Sequence, residues 1–234
     1  MALRHGTSVW LYGSFARGDA DELSDIDILV AGGDGEWRDA VSQDPQLAWL
    51  ELSGHAFSPM QFSWGELEAM CAYGSLFLHH VKLEGRAVTP EENDPLEQLL
   101  AGLPRYRRAT DEMQAFTVVL QDVAKSLRGD HSPNFEMAVV ATALRHAFIL
   151  GCYVTGQPDF GRASPFETLS ATLRLSPETV DELQTLYGFR LHQQGRSDLP
   201  FDATTQDVVT STERAATLFQ DIQRRVDAFD RAMP

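Results

Sequence analysis

Cysteine is scarce in this sequence: 234 residues contain only Cys71 and Cys152. Two thiols make no disulfide scaffold and fit a reduced compartment, so a cytoplasmic location is expected. Basic residues are also short, with 19 Lys+Arg against 34 Asp+Glu and a formal net charge of −15. Backbone-driven nucleic-acid binding needs clustered Lys and Arg, so no stable nucleic-acid partner is expected. No apolar run approaches the roughly 20 residues of a membrane-spanning helix, and no membrane partner is expected. The first thirty residues lack an apolar segment behind a basic start, so no secretory signal is expected either. What is present is an ordinary apolar fraction of 43%, which excludes wholesale disorder. The length suits one large domain or two small ones.

The acidity belongs to the first part of the chain. Residues 1–100 hold 17 acids and 5 bases, a net −12, whereas residues 101–234 hold 17 acids and 14 bases, a net −3. A site there that handles a polyanion needs metal cations or local arginines, while a cationic ligand is attracted unaided. The texture changes at the same place. Thr89-Pro90-Glu91-Glu92-Asn93-Asp94-Pro95 reads as a connector and Gly102-Leu103-Pro104 as a second break. Two domains follow, 1–100 and 101–234.

In the first, Ser8–Tyr12 and Asp25–Val30 read as strands, the second stopped by Gly32-Gly33. Glu36–Ser42 reads as a short helix, Leu47–Leu52 as a strand with a turn at Ser53-Gly54, and Ala56–Ser63 as an edge strand because it holds Pro59. Gly65–Tyr73 reads as a helix. In the second domain Met113, Phe116, Leu120, Val123 and Leu127 recur at helical spacing. Ser132-Pro133 and Ser176-Pro177 each offer a cap followed by proline at the first helical position. Ser164-Pro165-Phe166-Glu167 has the pattern of a capping box. Residues 135–151 are apolar nearly all round, the mark of a central helix. Val208, Ala215, Leu218, Ile222, Val226 and Phe229 form one stripe of a last helix. The expected fold class is α+β: a small mixed sheet with flanking helices, then an all-α bundle of four or five helices.

The chemistry is concentrated in Leu11-Tyr12-Gly13-Ser14-Phe15-Ala16-Arg17-Gly18 and, ten residues after Ser14, Asp25-Ile26-Asp27-Ile28. A strand running into Gly13 lets a ligand approach backbone that has no β-carbon. Ser14 adds a hydroxyl, and the residues behind it open a helix whose N–H groups face an anion. Arg17 is placed to pair with phosphate oxygens. Side chains alternate along a strand, so Asp25 and Asp27 share a face, roughly 6.5 Å apart at their α-carbons, while Ile26 and Ile28 turn to the core. Two like charges at that spacing repel, and a cation between them removes the cost. Magnesium takes a few carboxylates and completes its shell with substrate phosphates. A phosphate cradle beside an acid pair points to phosphoryl or nucleotidyl transfer.

These residues resemble the signature of the DNA polymerase β-like nucleotidyltransferase superfamily. Gly-Ser-x-Ala-Arg-Gly followed by Ser-Asp-Ile-Asp is similar to its small prokaryotic branch, the minimal and aminoglycoside nucleotidyltransferases. The resemblance implies phosphate binding at Gly13 and Ser14, and Mg2+ at Asp25 and Asp27. It implies an NTP, namely ATP, as donor, and a hydroxyl of a small molecule or protein as acceptor. The family commonly has a helix before the first strand, and only about seven residues precede it here. The family's third carboxylate has no counterpart in Ala56–Ser63, which holds no acid; Glu51, on the preceding run, is the candidate. An enzyme lacking that acid binds nucleotide without turning it over, so a degenerate nucleotide-binding or antitoxin-like module is the alternative.

The helical part resembles a HEPN-type domain, or the helical substrate domain of these transferases. The likeness lies in Ala143–Gly151, Gly156-Gln157-Pro158 and Tyr187–His192, and it implies a homodimer. Ribonuclease members carry an arginine four to six residues before a histidine, whereas Arg190 and His192 are separated by one residue. Ribonuclease activity is therefore not expected. Arg145, His146, Arg190 and His192 are candidates for lining an interdomain cleft. His79-His80 does not form a metal site, since neighbours on a helix point apart. Trp10, Trp37, Trp49 and Trp64 are read as core anchors rather than a base-stacking platform.

Overall fold

The computed structural model describes residues 6–22, 24–32, 37–52, 54–88 and 92–232. Gly33, Glu36, Ser53 and Thr89–Glu91, which figure in the expected turns, helix start and connector, lie outside the described residues. The chain forms two compact units, Met1–Arg107 and Arg108–Pro234.

The first unit is built on a four-stranded mixed sheet. Its strands are β1 (Ser8–Tyr12), β2 (Ile26–Ala31), β3 (Phe57–Phe62) and β4 (Arg86–Ala87), in the order β3-β2-β1-β4. β1 runs antiparallel to β2 and β4, and β2 runs parallel to β3. β3, with Pro59, lies at one edge, where a residue without an N–H costs no ladder bond. The two central strands are buried along nearly their whole length, because helices cover both faces. On one face Val9, Leu11, Ile26, Ile28 and Val30 meet Trp37 and Val41 of α2 (Trp37–Gln43) and Leu47 and Leu50 of α3 (Pro45–Leu52). On the other, Trp10, Tyr12, Leu29 and Ala31 meet residues of α4 (Trp64–Ala72), α5 (Leu76–Glu84) and α6 (Pro95–Ala101).

The run Leu47–Leu52 is helix α3, not the expected strand. Asp44 decides it: its carboxylate accepts from the backbone N–H groups of Gln46 and Leu47 at 2.9 and 3.1 Å, and Pro45 opens the first turn. Leu47 and Leu50 then fall on one buried face, and Trp49 is left 64% exposed instead of anchoring the core. α4 starts from a capping box in which Ser63 and Glu66 exchange bonds. Within the expected connector, Asp94 caps α6 through Leu96 N at 2.8 Å. The same buried carboxylate accepts from Ser8 Oγ at 2.8 Å and Trp10 Nε1 at 2.8 Å, fastening α6 to β1.

The second unit is all helix: α7 (Ala109–Ser126), α8 (Pro133–Val154), α9 (Ser164–Leu173), α10 (Pro177–Gln193) and α11 (Thr205–Arg231). α8 packs against the other four. By length and composition it could cross a membrane, contrary to the expectation drawn from the sequence, but 61% of its most apolar stretch is buried. It is apolar because helices surround it. Gly151 is a point of close approach: a β-carbon there would lie 2.5 Å from Leu169 Cδ2 and 3.5 Å from Ile222 Cγ2. The six stripe residues of α11 are buried together. Ser176 caps α10 through Thr179 N, whereas Ser132 makes no capping bond. Ser164 makes none either; its hydroxyl donates to Asp159 Oδ1 at 2.8 Å, and Glu167 accepts from Gln184, so the expected box does not form.

Candidate functional site

β1 ends at Tyr12, and the chain turns through Gly13 into α1 (Ser14–Arg17). Gly13 has φ 73° and ψ −155°, a conformation that side-chain-bearing residues rarely adopt. A β-carbon there would also fall on the Asp27 carboxylate, 3.2 Å from its Cγ. Glycine is thus required twice, by the backbone angle and by the carboxylate packed over the turn. The first backbone bond of α1 is from Arg17 N to Gly13 O, at 3.0 Å. The N–H groups of Ser14, Phe15 and Ala16 precede it and have no partner within the helix.

Asp27 lies within β2 and Asp25 immediately before it, both half-buried. Ile26 and Ile28 between and after them are fully buried in the opposite layer. The alternation therefore sets both acids on the face that also holds Tyr12 and Leu29. Tyr12 is the direct cross-strand partner of Asp27. Its hydroxyl pKa is raised, first by burial and then by the charges of Asp27 and Asp25. The phenol stays protonated beside two carboxylates. It lies within the motif, and the strand pairing, which no short pattern discloses, is what brings it to the acids.

Arg17 is committed elsewhere. Its Nη1 donates to Glu84 Oε2 at 2.5 Å and its Nε to Asp19 Oδ2 at 3.1 Å. Glu84, at the end of α5, also takes His80 Nε2 at 2.7 Å, and the His80 ring stands edge-on to Tyr12 at 5.3 Å. Asp19, Arg17, Glu84 and His80 form one chain of contacts running from the turn to α5. His80 and Glu84 are one helical turn apart, which was a readable signal once α5 was placed.

Glu51 does not complete an acid triad. It sits on α3, exposed, with its carboxylate 3.9 Å from Arg38. The strand position beside Asp27 on β3 is Ser58. Among the described residues no group of three or more His, Cys, Asp or Glu is placed to hold a metal ion.

The candidates in the helical unit separate. Arg145 donates to the carbonyls of Phe160, Gly161 and Arg162 at 3.0–3.1 Å, a structural clamp on the loop before α9. His192 contacts the carbonyl of Ser197 at 3.1 Å. His146 and Arg190 face a groove within this unit.

Residues 2–70 match the model of the nucleotidyltransferase domain family. The match spans the turn, both acids and the first three strands, and it supports nucleotidyl transfer as the general chemistry. No curated protein matches the chain.

Proposed function

We propose that the first unit transfers a nucleoside monophosphate from ATP to a hydroxyl of a small molecule or protein. The observation that carries this reading is the Asp27 carboxylate seated over Gly13, with Asp25 on the same face. The donor set suits Mg2+: two half-buried carboxylates at the mouth of a turn with uncommitted N–H groups leave room for phosphate oxygens. Bound there, the ion would neutralise triphosphate charge. The chain's own residues do the rest. Gly13 and Ser14 present backbone N–H groups and a hydroxyl to the β- and γ-phosphates. Arg17, held by Glu84 and Asp19, fixes the turn to α5. The acceptor oxygen forms a bond to the α-phosphorus as the bond to the β-phosphate bridge breaks; pyrophosphate takes the electron pair and the hydroxyl proton passes to water. The net −12 of residues 1–100 suits a cationic acceptor.

Calorimetric titration with ATP and magnesium tests the binding, and pyrophosphate release with a panel of hydroxyl acceptors tests the chemistry. Wild type should bind and release; Asp25→Asn/Asp27→Asn should lose at least tenfold in magnesium-dependent affinity and all release. Equal binding by both proteins would remove the acid pair from the site. The absence of a third acid beside Asp25 and Asp27 among the described residues favours a second reading, a module that binds nucleotide without turnover. Binding with no release from any acceptor would select it.

A further inference from the structure

The helical unit carries a cavity that the nucleotide site does not use. It lies among α7, α8 and α10, measures about 410 Å³, and is walled by Phe116, Val119, Val139 and Ala143. Arg190 reaches it from α10. Among the described residues no Asp or Glu lies within ion-pair distance of this guanidinium. Its Nη1 donates to Thr142 Oγ1 at 2.9 Å, and that hydroxyl in turn donates to the carbonyl of Ala138 at 2.7 Å. Its Nε is buried with no hydrogen-bond partner. A buried donor without a partner is costly, and a half-buried charge without a counter-charge is costlier. A fold rarely carries both unless something outside the chain satisfies them.

The surroundings narrow what that is. Thr142 is used as an acceptor and is neutral. His146, beside Arg190, is kept neutral: burial, then Arg145 and Arg190, push its pKa down to about 4. The remaining polar groups at the rim, Gln193 and Gln194, carry no charge. One positive charge in an apolar cavity calls for one negative charge on an apolar body. The guanidinium has a planar edge with unused donors that suits a carboxylate, and its single charge balances a monoanion rather than a sulfate or phosphate dianion.

We propose that this cavity binds an organic monocarboxylate, its carboxylate on Arg190 and its apolar body among Phe116, Val119 and Val139. The site is independent of the reading given to the first unit, since every residue in it belongs to the helical one.

Octanoate is the probe, titrated calorimetrically into the full chain at pH 7.5, with octan-1-ol as the uncharged match. Wild type should bind octanoate at one site and at least tenfold more tightly than octanol. That comparison uses the unaltered protein and stands whatever the variants do. Arg190→Met should lose at least tenfold in octanoate affinity with octanol affinity unchanged, and Arg190→Lys should retain part of it. Val139→Trp, which fills the cavity, should abolish both. No binding at millimolar octanoate, equal affinity for octanoate and octanol, or equal octanoate affinity in wild type and Arg190→Met would each overturn the assignment.

Discussion

Gly13 is the residue on which the first unit's geometry turns. Its positive φ and the Asp27 carboxylate above it exclude any side chain. Gly13→Ala should cost about 2 kcal/mol from backbone strain alone, with more from displacing Asp27. Denaturant unfolding measures the first part and loss of ATP binding the second. His146 makes a different kind of prediction. Its pKa falls from 6.5 in the unfolded chain to about 4 in the folded one. Between those values the unfolded state holds the proton and the folded state does not, so stability rises with pH. The contribution is complete above pH 6.5 and is lost as the pH falls through 4. The urea midpoint should drop between pH 7 and 4.5, and drop less in His146→Leu. At this scale the local geometry was largely legible: Gly13, Ser14, Asp25 and Asp27 stand in one short segment, and the structure packs the Asp27 carboxylate over Gly13. Glu84 was not, because its bond to Arg17 joins positions 67 apart in sequence. Nor was the isolation of Arg190, since a missing partner leaves no mark in a sequence.

Among the elements, the longest were legible. α7 and α11 run for 18 and 27 residues, and their apolar spacing overrides local ambiguity, while α8, of 22 residues, shows itself by being apolar nearly all round. Of the short ones, α2 and α4 were legible, whereas α3, α5 and α6 were not. Leu47–Leu52 holds branched and aromatic residues in a run too brief to separate a period of two from one of 3.6. The deciding residues, Asp44 and Pro45, lie just ahead of it. α5, bounded by Gly74-Ser75 and Gly85, was not read from the sequence. α6 fills the seven residues from the connector's last proline to the break at Gly102, and Asp94 just ahead of it is both cap and tie. Asp94→Ala should therefore cost far more than an ordinary cap, at least about 3 kcal/mol. Leu96 N, Ser8 Oγ and Trp10 Nε1 all lose their acceptor in a buried place. Equilibrium unfolding in urea measures it, and Asp94→Asn, which keeps an acceptor oxygen, should recover part of the loss.

For the molecule as a whole, the chain divides at Arg107–Arg108 into two compact units. The helical unit packs its other four helices against α8, so residues 108–234 expressed alone should be helical by circular dichroism and unfold in one cooperative step. A non-cooperative melt of that fragment would refute self-sufficiency. Asp25 and Asp27 fall in one unit and Arg190 in the other. The two thiols divide the same way. Cys152 is sealed in α8 against the Pro165 carbonyl, its pKa pushed up to about 12, while Cys71 on α4 is half-buried. A maleimide dye applied under native conditions will therefore mark the first unit alone. Label appearing at Cys152 becomes a clock for how often the bundle opens, with no engineered reporter needed.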